Sequence, residues 1–173
     1  IGLISLFAGL SVTDAIATIS GTTPQCKWPN DVLLGERKVS GILSESVYAD
    51  GKLSAVIIGI GVNVNQVNFP PELESTATSL LLSTGRPFDR AEVLASILRS
   101  MEFWYEKIRF HRFSEVLGAW QGRSSMFGKM VRVSDKETRC HGIAKGLADD
   151  GGLILETADG EIKVLAGDVT LSH

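Results

Sequence analysis

Apolar residues recur at three- and four-residue intervals through the first twenty positions. Leu3, Phe7 and Leu10 share one line, and Ile4, Ala8, Val12 and Ile16 share the next. This spacing predicts a helix over 3–19, closed by Gly21 and lying across a sheet. Residues 25–28, 39–47 and 53–61 read as strands. Tyr48-Ala49-Asp50-Gly51-Lys52 separates the last two, so they are expected to form a hairpin. A loop over 66–71 ends at Pro70-Pro71. A second helix is expected over 90–110, with Val93, Leu94, Ile97, Leu98, Met101 and Trp104 as its apolar stripe. Phe113, Val116, Leu117 and Trp120 continue the stripe as a short third helix.

Past Ser124 the texture changes. Residues 131–133, 141–146, 153–156, 162–165 and 169–171 are short β runs, separated by turns at Asp149-Asp150-Gly151-Gly152 and Ala158-Asp159-Gly160. Short strands at such spacing predict a small barrel. The expected organisation is α+β: a mixed sheet centred on 25–65 and backed by helices in residues 1–123, then a separate barrel in residues 124–173.

Polar residues concentrate where the first strands end. Lys27-Trp28-Pro29-Asn30-Asp31 is followed by Arg37-Lys38-Val39-Ser40-Gly41-Ile42-Leu43. Pro29 biases Trp28 towards extended backbone and cannot donate to a ladder. Asn30 and Asp31 favour a turn, since their short side chains bond nearby backbone. Gly35 permits a second reversal. A rigid sheet can thus aim two lysines, an amide and a carboxylate at a ligand. Taken alone, a turn of this kind reads first as a hairpin with solvated charges.

Composition narrows the classes. The 173 residues are 44% apolar with a formal net charge of −3, which supports a packed core and gives no support for a polyanion-binding surface. No unbroken apolar run approaches the roughly 18 residues that span a bilayer, and the N-terminal segment lacks the pattern of a signal peptide. Cys26 and Cys140 show no metal-ligand spacing and read as reduced thiols of a cytoplasmic protein, with Cys26 structural. His111, His141 and His173 are scattered. Gly59-Ile60-Gly61-Val62-Asn63 is not a dinucleotide fingerprint: it lacks the third glycine, and a proline-containing loop follows where a helix should start.

The string Lys27-Trp28-Pro29-Asn30-Asp31 with Arg37-Lys38, Gly41-Ile42-Leu43 resembles the central signature of biotin protein ligases, enzymes that attach biotin to carboxylase carrier domains. Gly59-Ile60-Gly61-Val62-Asn63-Val64-Asn65 and Ala77-Thr78-Ser79-Leu80 follow in that family's order. So does a C-terminal stretch from Gly142-Ile143-Ala144-Lys145-Gly146-Leu147 to Gly167-Asp168-Val169. In that family an upstream Arg- and Gly-rich loop covers the bound adenylate, and earlier strands contact biotin. Neither is found within these residues. The chain is therefore expected to be the central and C-terminal part of a ligase region, folded but feebly active on its own.

The resemblance implies activation of biotin by ATP, with Mg²⁺ accompanying the nucleotide, and transfer of biotin to a lysine of a biotin carboxyl carrier protein. It implies a Src-homology-3-like barrel at the C-terminus. A homodimer is left open, and DNA enters only through a winged helix outside these residues. Lys38 matches the adenylate-contacting lysine. A fixed cation 4 Å from the developing charge is worth about 4 kcal/mol at an effective dielectric of 20. Gly41 and Gly59 would let a flat ligand approach backbone, with Leu43 and Val62 as apolar wall. Lys27, Asn30 and Asn63 would face phosphate. Trp28 is either a flat wall or core packing. Asp31 orients Lys38, takes a proton from the acceptor lysine, or simply caps the turn. Strict alternation puts Lys38 and Gly41 on opposite faces of their strand. They can serve one ligand only through a bulge or a Lys38 that reaches round the strand end. A lipoate-ligase-like enzyme and a non-catalytic module that docks a carrier are the alternatives.

Overall fold

A computed structural model describes residues 2–135 and 139–171. His173, named above, lies outside them. Helix α1 (Gly2–Ser20) forms where the spacing predicts it. It is apolar all round, and Leu6, Leu10, Val12 and Ile16 are each at most 1% exposed. A helix apolar on every side must be covered on every side. Here the first sheet covers one side, with α3 (Arg90–Arg109) and α4 (Phe113–Gly122) on the other. Its buried hydroxyls are satisfied locally: Ser11 and Thr13 each donate at 2.8 Å to the carbonyl four residues back. By length and composition α1 could cross a bilayer, which corrects the expectation from unbroken runs. The sheet and helices packed around it make it a core helix of this fold.

The first sheet has the order β1 (Gln25–Lys27), β2 (Asp31–Leu34), β3 (Arg37–Ala49), β4 (Lys52–Val62). All its strand pairs are antiparallel, not mixed. The reason is the shortness of the turns, since parallel neighbours need a crossover of a dozen residues. Parallel pairing in the described residues is confined to a bridge between Lys38 and Ala77. The sequence reading missed β2 and placed Asp31 in the turn; Asp31 instead begins the strand. Asp50 and Gly51 both take positive φ, 51° and 73°, as a tight hairpin turn demands.

A short helix α2 (Leu80–Thr84) follows the loop, capped by Ser79, whose hydroxyl oxygen accepts from Leu82 N at 3.1 Å. On α3, Val93, Ile97 and Trp104 are buried as expected, whereas Leu94 and Leu98 are 57% and 56% exposed. The core stripe is narrower than the sequence pattern because α3 is covered on one side only. Asp14 of α1 accepts from Trp104 Nε1 at 3.0 Å and from Arg123 Nη2 at 3.1 Å, which ties α1, α3 and the end of α4 together.

The second sheet, antiparallel throughout, has the order β8 (Gly160–Val164), β7 (Leu153–Thr157), β6 (Arg139–Leu147), β5 (Met130–Ser134), β9 (Asp168–Leu171). Val131, Val133, Leu153, Leu155 and Val169 alternate inward and are at most 2% exposed. This is the expected small Src-homology-3-like barrel in an α+β fold. Hydrogen bonds join it to the rest: Trp28 Nε1 donates to Gly151 O at 3.0 Å, Leu147 N to Gln121 Oε1 at 3.0 Å, and Ser125 Oγ to Gln25 Oε1 at 2.8 Å, while just before the barrel Cys26 N donates to Arg123 O at 2.9 Å.

Burial pushes the Cys26 thiol up from 9.0 to about 12, against the opposing hydrogen bond with Thr13. The unfolded chain loses this proton near pH 9 and the folded one holds it, so stability falls as pH rises above 9. The slope is at most about 1.4 kcal/mol per pH unit. Urea unfolding at pH 8 and pH 10.5 should therefore show a larger loss for wild type than for Cys26→Ala. Equal losses would rule out this linkage.

Candidate active site

The chemistry starts from one irregularity. Val32 pairs with Ser40 but Leu33 pairs with Lys38, so Val39 is an extra residue in β3. A bulge turns two successive side chains to the same side. Val39 and Ser40 both point inward, 0% and 2% exposed. Lys38 and Gly41 consequently share the outer face, which resolves the conflict that strict alternation posed. A Cβ placed on Gly41 would lie 2.9 Å from both Cε and Nζ of Lys38. The lysine lies directly over the glycine.

Register then builds a row across the sheet. Lys27 pairs with Asp31, Asp31 with Gly41, and Gly41 with Gly61. Directly opposed residues share a face, so ammonium, carboxylate and two bare backbone positions stand side by side. Lys38 Nζ is 2.5 Å from Asp31 Oδ1. That oxygen is buried and accepts no hydrogen bond of ordinary geometry, so the ammonium is what balances its charge. Leu43 pairs with Gly59, next along the hairpin, and stands 62% exposed at the edge of a three-glycine floor.

The backbone of Lys38 is fixed from the other side. Lys38 N donates to Thr76 O at 2.7 Å, and Thr78 N donates to Lys38 O at 2.9 Å. Ala77, Thr78, Ser79 and Leu80 are all buried. Asn63 binds the same loop: its Nδ2 donates to Thr78 O at 3.0 Å, and its carbonyl accepts from Leu80 N at 2.9 Å. The Ala77–Leu80 motif is thus a clamp on the strand that carries Lys38.

Lys27, Asp31, Lys38, Gly41, Val62 and Asn63 line one groove of about 1040 Å³. Val62 reaches it from the strand end while packing partly against the core, on the face opposite Leu43. Leu43, Asn30 and Trp28 line a different hollow, between the sheet and the barrel. Asn30 Nδ2 donates to Ile42 O at 2.7 Å, which pins the turn to β3. Trp28 is 2% exposed. Of its two readings, core packing is the one observed, and the structure brings neither Trp28 nor Asn30 to the groove with Lys38. Sequence reading missed Gly61, Phe69, Pro70, Leu73 and Asp168 in the groove lining. Gly61 was legible from its spacing to Gly59. The others converge from a loop and from the barrel, and no local pattern announces them.

Family models agree with this architecture. Residues 3–63 match the biotin/lipoate A/B protein ligase family, and residues 126–172 match the biotin protein ligase C-terminal domain. The biotin–[acetyl-CoA-carboxylase] ligase of Paracoccus denitrificans is 32% identical over 171 residues, covering 96% of this chain and 71% of the relative. The bifunctional ligase/repressor BirA of Bacillus subtilis is 36% identical over 170 residues, covering 97% of this chain. The chain spans about half (52%) of that relative's length. Among solved structures, the biotin protein ligase from Aquifex aeolicus in complex with biotin and ATP superimposes with a TM-score of 0.86 at 34% identity. That match covers 99% of this chain and 72% of the other. Signature residues, sheet, barrel and relatives point the same way, and the chain belongs to the biotin protein ligase family.

Proposed function

We propose that residues 1–123 form the floor of a site where biotin is activated by ATP to biotinyl-5′-adenylate. The acyl group then passes to a lysine of a biotin carboxyl carrier domain, and residues 124–173 form a barrel domain beside the site. The observation that supports this best is the Lys38 ammonium, held by Asp31 above a floor without side chains. A biotin carboxylate oxygen attacks the α-phosphorus of ATP. The bond to the bridging oxygen breaks, and pyrophosphate leaves. Negative charge grows on the α-phosphate oxygens, where Lys38 is placed to meet it. Phe69, Pro70, Leu73 and Ala77 form an apolar shelf beside Lys38 that suits a nucleobase.

In the second step the neutral amine of the acceptor lysine attacks the acyl carbon. It loses a proton, and AMP departs. Asp31 holds Lys38 in place and is the carboxylate assigned to receive that proton. Mg²⁺ arrives with ATP on its phosphates. The acceptor is the carrier protein of acetyl-CoA carboxylase, the enzyme named in the Paracoccus relative's description. The reading places the protein in the cytoplasm with its carboxylase, open to a homodimer. DNA is contacted only where a winged helix is joined to this region. The match to the biotin-specific C-terminal model disfavours lipoate as substrate.

In the full-length enzyme, Lys38→Ala should lower pyrophosphate release with excess biotin and ATP by about 10² or more, with the melting temperature retained. A near-normal rate would remove Lys38 from the mechanism. Gly41→Ala tests the floor separately. Its new methyl group crowds the flexible end of Lys38 at 2.9 Å and touches Asp31 Oδ1 at an ordinary 3.6 Å, so the fold should tolerate it. Displacing the ammonium from Asp31 should cost roughly ten-fold in adenylate formation. Unchanged adenylation in a folded Gly41→Ala protein would show that the lysine's place over Gly41 is immaterial.

A further inference from the structure

The groove that holds Lys38 is floored by Gly41 and Gly61, but the sheet beneath it runs on along the hairpin. Opposed pairs on the outer face succeed one another at every second residue: Gly41 with Gly61, Leu43 with Gly59, then Glu45 with Ile57. The inner face alternates with them, and Ser44 there meets Ser5 of α1 at 3.0 Å. Glu45 and Ile57 are thus the first outer pair in which both strands raise a full side chain. They are ill matched to each other. Ile57 is 57% exposed. Glu45 is exposed too, and its carboxylate has no ion pair or hydrogen bond among the described residues. An apolar side chain and a bare carboxylate stand side by side at the end of an open floor.

We infer that Glu45 and Ile57 receive the ring end of the acyl substrate, with Glu45 accepting from the ureido N–H groups of biotin and Ile57 facing its carbon and sulfur side. This rests on the adenylation reading above, which sets the biotin carboxylate at Lys38. Lengths decide where the rings fall. The Lys38 ammonium lies over Gly41. A strand rises about 3.4 Å per residue, so Leu43 stands about 7 Å and Glu45 about 14 Å further along. Eight bonds of about 1.5 Å link the carboxyl carbon of biotin to its ureido carbon, roughly 10 Å when extended and staggered. The acyl chain then lies over the glycines, and the ureido group comes between Leu43 and Glu45. A glutamate side chain spans the remaining distance of about 4 Å. The ureido group offers two N–H donors, and a carboxylate has two acceptor oxygens and no donor of its own. Hydrogen bonds to a charged acceptor are about twice as strong as neutral ones. The dithiolane end of a lipoyl group carries no donor and would leave the carboxylate unpaired, and a site built around such bonds rejects a ligand that lacks them. The far end of the floor therefore selects the acyl group, while Lys38 and Asp31 act on the carboxylate it delivers.

The test titrates the full-length protein with biotin calorimetrically in the absence of ATP, so that it does not depend on turnover. Glu45→Ala should weaken biotin about ten-fold or more, with KM for ATP unchanged in the adenylation assay. Glu161→Ala removes an exposed carboxylate from β8 of the barrel and serves as the charge control, binding biotin as wild type does. A biotin methylated on both ureido nitrogens separates recognition from folding. Methylation should weaken binding to wild type, and Glu45→Ala should then lose little more, because both changes remove the same hydrogen bonds. Independent losses that multiply would overturn the assignment. So would wild-type affinity for biotin in Glu45→Ala. Ile57→Ala should shift preference towards a biotin homologue with one more methylene, and an unchanged preference would remove Ile57 from the end of the site. A wild-type enzyme that binds biotin yet releases no pyrophosphate with ATP would instead overturn the adenylation reading, an outcome distinct from any in the ATP-free titrations.

Discussion

One extra residue in one strand decides which face of this sheet Lys38 occupies. Without the bulge at Val39, Lys38 would face α1 and the core, where an ammonium has no counter-charge. With it, Val39 and Ser40 share the inner face and Lys38 swings out over Gly41. Bulges occur next to active sites because they re-aim a side chain without disturbing the ladder on either side. Both neighbours of this bulge are secured. Lys38 is bracketed by Thr76 and Thr78, and Val39 O accepts from Asn63 N at 2.9 Å. The Ala77–Leu80 and Gly59–Asn63 motifs, far apart from each other and from Lys38 in the family signature, are therefore parts of one device. They keep an irregular strand from relaxing into a regular one.

The other face explains how the sheet tolerates so bare a surface. Glycine in a strand interior sacrifices both packing and backbone entropy. Gly41, Gly59 and Gly61 lie together on the outer face, where side chains would normally pair across strands. The loss is made good on the inner face. Val32, Val39 and Ile42 are at most 2% exposed there, and Ile58, Ile60 and Val62 pack against the same core. Alternation of Gly with Ile and Val along β4 is thus a division of labour within one strand. One face fixes the sheet to α1 and the other leaves room for a ligand.

Much of this was legible from local sequence. The helical spacing of α1 and α3, the Asp50-Gly51 turn and the five short runs of the barrel are periodic or turn-coded features, and they formed where expected. The strand β2 was not legible, because four residues between two turns carry too little periodicity to outweigh the turn chemistry of Asn30 and Asp31. The bulge was visible only as a contradiction: Lys38 and Gly41 suited one ligand, yet alternation separated them. The apolar shelf of Phe69, Pro70 and Leu73 and the approach of Asp168 depend on contacts between distant segments. Trp28 had two readings in the sequence. Its partner decided the matter, a carbonyl at Gly151 more than a hundred positions away.

That bond also bears on how the site can move. The Lys27–Asp31 turn is held from two directions: by Trp28 to the barrel at Gly151, and by Asn30 to Ile42 in β3. The segment that carries Lys27 and Asp31 cannot shift without breaking a buried contact at one end or the other. A cation fixed in this way contributes most where charge develops, since it needs no reorganisation at the moment of reaction. Lys38 is different. Its side chain is 47% exposed, and Asp31 is its ion-pair partner. The rigid elements therefore place the carboxylate, and the carboxylate places the lysine. In the reaction proposed above, the flexible group is the one that follows charge from the acid to the adenylate and on to the acceptor amine. That proposed pair of transfers on one floor calls for this combination, with an immobile anchor and a mobile ammonium tethered to it.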